Sequence, residues 1–257
     1  MNLRRFPATR EISMGVLFYL YLPVLVLIVY SFNGNRTATI WTEASLHWYG
    51  RILVNPSIQA ATWNSLVLAF AAGIGATLIA LLAALATKSP FRGLGPTEAA
   101  INAPLILPEV VVAVATLILF VTVGVTLGLA AMIPAHIAFC TPFAYLPIRA
   151  RLEGMNKSYE EAAQDLYANR FATFRRVTLP LLWPGILAGF TLAFVTSLDD
   201  FLTSFFLSGP GSTTLPVYIF SAIRSGISPE INAISTVMLV ISVALVVLSF
   251  ILGRIRR

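Results

Sequence analysis

Residues 63–86 read WNSLVLAFAAGIGATLIALLAALA, 24 consecutive positions without a charged side chain. An α-helix rises about 1.5 Å per residue, so the stretch covers roughly 36 Å, enough to cross the ~30 Å hydrocarbon layer of a bilayer. Ala71, Ala72, Gly75 and Ala76 within it are small residues at helical spacing. They let helix backbones approach closely, and packing is the preferred reading.

Five further apolar blocks flank this one, at about 12–32, 101–123, 127–148, 183–206 and 232–252. The pattern predicts an all-α membrane protein, a single transmembrane domain over residues 1–257 with six spanning helices. Composition agrees: 58% of residues are hydrophobic, 11% are charged and mean hydropathy is +0.84. Soluble domains carry about 25% charged residues, and less than half that cannot cover a water-facing surface. The first block follows Arg4, Arg5 and Arg10, is longer than a signal-peptide core and has no small-x-small cleavage site after it. It is expected to be a retained span. The lone Cys140 allows no internal disulfide and no cysteine-built metal site. His47 and His136 are isolated in the sequence, and neither is assigned a metal.

Basic residues set the orientation. With the N-terminus inside, 14 of the 17 Lys and Arg residues fall in inner segments, and only Arg36, Arg51 and Arg224 fall outside. The positive-inside rule favours this arrangement, with both termini cytoplasmic. The same clustering argues against nucleic acid as a partner. Of the outer segments, 33–62 carries Ser45 as a candidate N-cap before Leu46-His47-Trp48-Tyr49, a short interfacial helix. Residues 207–231 open on the turn Ser208-Gly209-Pro210-Gly211 and close on Ser228-Pro229, a cap and first helical position for the sixth span. Both outer segments, near Trp48 and at 208–227, are expected to meet an external partner. Prolines 104, 108, 134, 142 and 147 predict irregular helices in the third and fourth spans.

The longest inner loop, 149–182, carries the most specific signal. Ser158-Tyr159-Glu160-Glu161 fits a capping box, predicting a helix from Tyr159 through Leu166 with acids in its first turns. A basic helical stretch, Phe171 to Val177, follows, and Leu179-Pro180 is expected to end it before the fifth span. A capped surface helix in such a loop suits docking of a soluble partner.

Glu161-Ala162-Ala163 followed by Val177-x-Leu179-Pro180 resembles the EAA loop of ABC importer permeases, with matching spacing throughout. The sequence departs from that pattern at Tyr167, where the family has Gly. The resemblance implies a type I ABC importer permease fold and a bacterial inner-membrane location. It also implies an ATPase-coupling role for Glu161, Ala162, Ala163, Asp165, Leu166, Leu179 and Pro180. Residues 107–111, 135–140, 197–200, 208–211 and 228–233 resemble the spermidine/putrescine branch. That branch implies polyamine import, a dimer of ATPase subunits, a second and non-identical permease, and a periplasmic or external polyamine-binding protein. No cofactor is expected in this chain. It has no Gly-x4-Gly-Lys-Ser/Thr segment, so ATP and Mg belong to the partner ATPase.

Three acids lie in apolar segments: Glu109 after Pro108, and Asp199 and Asp200 in the fifth block. A charge near mid-bilayer costs at least about 2.5–3.5 kcal/mol. No Lys or Arg lies inside a predicted span, so the ammonium groups of a polyamine could supply the missing partner. The alternative is that an aspartate caps a broken helix or pairs with Arg224. Adjacent helical residues point about 100° apart, so both aspartates are not expected to serve one site equally. A permease for another small cationic solute remains open, as does a secondary transporter, though neither a short chain nor an EAA loop suits the latter. No HExxH, CxxC or nucleophile–base set marks the chain as an enzyme.

Overall fold

The computed structural model describes residues 9–35, 40–156, 158–226 and 229–255. Arg4, Arg5, Arg36, Lys157, Ser228, Arg256 and Arg257 lie outside the described residues, and with them the Ser228 cap. The described chain is helical, in the order α1 (Thr9–Tyr30), α2 (His47–Val54), α3 (Pro56–Ala86), α4 (Leu94–Ile106), α5 (Glu109–Val123), α6 (Leu129–Glu153), α7 (Ser158–Asp165), α8 (Arg170–Thr173), α9 (Leu179–Asp199), α10 (Leu202–Leu207), α11 (Leu215–Ser225) and α12 (Pro229–Ile255). Among the described residues, five helices are long and apolar enough to cross a membrane, and a bent pair, α4 with α5, makes up to six. The chain forms two compact units, one of residues 1–59 and 219–240, the other of 60–218 and 241–257.

In the first unit, α1 buries none of its side chains. The segment after it is tied down by polar groups around the fully buried Asn33. Its side-chain amide donates to Ile40 O (2.8 Å), and its own carbonyl accepts the Trp48 indole N–H (2.8 Å). Trp48 is therefore buried, while Leu46 beside it is exposed. The α2 cap lies at Leu46, one residue beyond Ser45, whose hydroxyl accepts the His47 N–H (3.1 Å).

In the second unit, α3 presents Ala69, Ala72, Ala76, Ala80 and Ala84, all 0% exposed, along one face. Ala76, Ala80 and Ala84 join Cys140, Ala144 and Ile148 of α6 and Leu182 and Ala193 of α9 in one core cluster. The α6–α9 seam is tight at Gly189, where a Cβ would sit 2.8 Å from Ala144 O. A side chain there would collide with backbone, which cannot rotate away.

The prolines act unequally. The expected third span is two helices, α4 and α5, bent by 107°. Pro108 forces Leu107 out of the helical region (φ −76°, ψ 141°) and cannot donate a hydrogen bond itself. The fourth span, by contrast, is not interrupted: α6 runs through Pro134, Pro142 and Pro147. Each removes one donor, a loss that a helix enclosed by neighbours tolerates. Leu179-Pro180 does not end a helix either. A widened π turn, Phe174–Thr178, leads straight into α9, with Leu179 N–H bonded to Phe174 O. The wider turn relieves the clash a proline ring makes with the carbonyl four residues earlier. The fifth span stops at Asp199. Asp200 is extended (φ −65°, ψ 125°), and α10 is a separate helix. Helix α11 occupies a segment read from sequence as an outer turn and loop.

Candidate functional site

Two clusters of polar side chains stand out, one at α7 and one where the spans break. Helix α7 starts at Ser158, whose N–H donates to Asn156 Oδ1 (3.0 Å). This replaces the expected start at Tyr159, because the Asn156 side chain caps the turn ahead of Ser158. At the other end, Ala168 N–H bonds Ala163 O (3.0 Å) and Tyr167 N–H bonds Gln164 O (2.9 Å). These two bonds form a Schellman motif, which needs a left-handed residue at the position of Tyr167. Tyr167 has φ +59°, the one positive value among the described non-glycine residues. Its position is the one at which the EAA pattern has Gly, so the departure changes the residue and keeps the turn.

Glu161, Ala162 and Asp165 are exposed, and Ala163 is partly so. Leu166 and Tyr167 are 82% and 98% exposed, and Tyr159 and Phe171 also face outward. Leu179 is half-buried and Pro180 exposed at the start of α9. The inward acid is Glu160, which sequence reasoning passed over. One of its oxygens pairs with Lys88 Nζ (2.5 Å), and the other accepts the Thr178 hydroxyl (2.8 Å). The Lys88 hydrogen bond is the main reason its carboxyl is held below the ordinary carboxylate range. Beside Lys88, Thr87 is gripped by Arg149, whose guanidinium donates to Thr87 O and Oγ1 (2.5 and 2.8 Å) and pairs with Glu153 (2.6 Å).

In the second cluster, Asp200 terminates α9 and starts α10. Its carboxylate accepts the Ser204 N–H (2.8 Å) and, at 3.4 Å, the Thr203 N–H. His136 of α6, fully buried, lies 3.4 Å from Asp200 through Nε2 and 2.8 Å from Ser197 Oγ through Nδ1. His136 is thus isolated in sequence only. Glu109, exposed at the first position of α5, lies close enough to Asp200 to feel its negative charge. Asp199 is exposed, with only a long contact (3.5 Å) to Ser242 Oγ. Two helix breaks, at Pro108 and at Asp200, therefore bring Glu109 and Asp200 together, each at a helix start, where the backbone N–H groups favour negative charge.

A family model described as binding-protein-dependent transport system inner membrane component matches residues 76–256, which hold both clusters. The chain belongs to this family. As an inner membrane component of a binding-protein-dependent transporter it is a multi-pass permease subunit and not an enzyme. The putrescine transport system permease protein PotI of Escherichia coli (strain K12) is 40% identical over 86% of the chain and 82% of its own length. The spermidine/putrescine transport system permease protein PotC of Haemophilus influenzae is 38% identical over 97% and 98%. Among solved structures, a bacterial alginate ABC transporter in complex with alginate pentasaccharide-bound periplasmic protein aligns at TM-score 0.71, 18% identity, over 93% of this chain and 91% of that one. This last likeness concerns the fold of the permease alone.

The sequence pattern pointed to Glu161, Asp199, Asp200 and Glu109, and three of these four are exposed. It missed Glu160, Asn156, Lys88, His136, Ser197 and Ser204. The signal for Glu160 was present in its adjacency to Glu161, since two neighbouring helical residues cannot face one way. No local signal joined His136 to Asp200, 64 positions away.

Proposed function

We propose that this permease carries polyamines of the putrescine and spermidine class inward across the bacterial inner membrane. The observation that carries the reading is the 40% and 38% identity, over most of each chain, to permeases named for putrescine and spermidine/putrescine transport. The acids support it. Glu109 and Asp199 are carboxylates in apolar segments and exposed to whatever passes, while Asp200 adds fixed negative charge behind Glu109. Carboxylates in a narrow path offset the desolvation of an ammonium group far better than water-exposed ones do.

In this reading both termini are cytoplasmic, and α7 is the helix on which an ATPase subunit docks. The exposed Tyr159, Leu166, Tyr167 and Phe171 give α7 and its neighbour an apolar face that a soluble groove would cover. Two ATPase subunits hold the ATP and Mg. A second, non-identical permease completes the path, and a periplasmic polyamine-binding protein delivers substrate to the outer segments.

The test is uptake by the reconstituted transporter in lipid vesicles, with labelled putrescine, spermidine, a monoamine and a neutral diol of similar length. ATP-dependent uptake of the two polyamines over the diol is expected. Uptake of a different cation alone transfers the reading to another cationic solute. Glu161→Lys should lower ATPase association about tenfold, equivalent to ~1.4 kcal/mol. Unchanged association would remove α7 as the docking element.

A further inference from the structure

Helix α7 buries none of its side chains. An eight-residue helix is too short to persist alone in water, so something outside it holds it in place. Among the described residues, Glu160 is the α7 side chain whose hydrogen bonds reach the ends of other helices. Its two carboxylate oxygens go to different helices. Lys88 lies two residues past the end of α3, and Thr178 is the last residue of the π turn, directly before α9. The Lys88 end is itself braced, because the adjacent Thr87 is gripped by Arg149 of α6 through two hydrogen bonds.

We infer that Glu160 is a positioning residue that fastens the ATPase-docking helix to the ends of α3 and α9, so that displacement of α7 moves both spans. The inference rests on α7 being that docking helix and goes beyond it, because Glu160 faces away from the exposed surface on which a partner would sit. Glu161 and its exposed neighbours hold the partner, and Glu160 passes the partner's movement to the membrane. An ion pair with its charges 34% and 22% exposed is weak when measured as stability. Its value here is geometric: one planar group spans two helices, a neutral side chain loses the charge that draws Lys88, and a shorter one cannot reach both partners.

The complete transporter in lipid vesicles provides the test, with two readouts: ATPase copurifying with the permease, and substrate moved per ATP hydrolysed. Glu160→Gln should retain the ATPase yet lower substrate moved per ATP at least fivefold. Thr178→Val, which severs one arm only, should lower it about twofold. The exchange Glu160→Lys with Lys88→Glu restores opposite charges across the same gap, and a Lys can also donate to Thr178. It should recover at least half of the wild-type ratio, whereas each single exchange should not. A wild-type ratio in Glu160→Gln, or a double exchange no better than the singles, overturns the inference. If Glu160→Gln fails to accumulate, the Thr178→Val and double-exchange results decide in the same way. Should Glu160 variants couple normally while Glu161→Lys releases the ATPase, the docking helix stands and only the fastening role falls. A wild-type permease that binds no ATPase removes both.

Discussion

Two pairs of adjacent acids, Glu160 with Glu161 and Asp199 with Asp200, solve one geometric problem in different surroundings. In each pair one carboxylate is enclosed by hydrogen bonds and its neighbour is exposed. At α7 the enclosed acid meets a side-chain cation, Lys88. At the break between α9 and α10 it meets two backbone N–H groups and His136, with both side chains of that contact at 1% exposure or less. Near water a lysine can be held cheaply. In an apolar interior a lysine is costly, and fixed backbone dipoles do the same work without a second full charge. The enclosed acid in each pair shapes the protein, and the exposed one is left for a partner or substrate.

The largest effect should follow from Asp200→Ala. It strips the α10 cap and leaves His136 buried without its carboxylate, a loss of about 2–3 kcal/mol. Thermal unfolding in detergent should show a clear fall in midpoint, and a wild-type midpoint would place the two acids of that pair on an equal footing. Asp199→Asn should leave that midpoint unchanged and slow polyamine uptake about fivefold, near 1 kcal/mol of lost attraction. The deficit should be larger for spermidine than for putrescine, because each ammonium adds a favourable contribution. Equal rates for both amines would make Asp199 a bystander.

A smaller effect separates the loop pair by pH. The folded pKa of Glu160 is depressed below its ordinary value of 4.5. Its contribution is therefore fully present above that value and is lost as pH falls through the depressed one. Hydrogen exchange across 158–165 should rise only in that acid window in the wild type, beyond the change seen in Glu160→Gln. Identical profiles for the two would detach the pair from Lys88. The smallest effect belongs to Tyr167→Gly. Glycine relieves a left-handed tyrosine but loosens the unfolded chain, for a net gain of a few tenths of a kcal/mol, roughly 0.5. Loss of stability instead would mean that the 98% exposed ring makes a contact worth more than its strain.

The apolar blocks and the EAA spacing made the spans and α7 legible, because both depend on local composition. Blocks 63–86 and 232–252 lie wholly inside α3 and α12, and the Schellman turn falls where the motif has Gly. What stayed hidden depended on distance or on choosing among equals. Five prolines in two blocks looked alike, yet only Pro108 marks a break, since it alone follows a residue held extended. The alternative reading of Asp200 as a cap for a broken helix matches its geometry, but the partner that encloses it, His136, could not be read from either segment. Leu179-Pro180 reads as a stop because proline usually ends a helix. The π turn before it depends on backbone widening that no residue pattern announces.

Gly185 and Gly189 have a mechanical consequence. At both positions α9 lies so close to α6 that an added Cβ would come within 2.8 Å of Arg151 Cβ or Ala144 O. Sliding α9 by one residue would bring the Cβ of a neighbour into the place that each glycine leaves empty, 2.8 Å from Arg151 Cβ or Ala144 O. The two glycines therefore fix the register of α9 against α6. Thr178 stands just before one end of α9 and Ser197, bonded to His136 of α6, near the other, so this one seam runs between the two polar clusters.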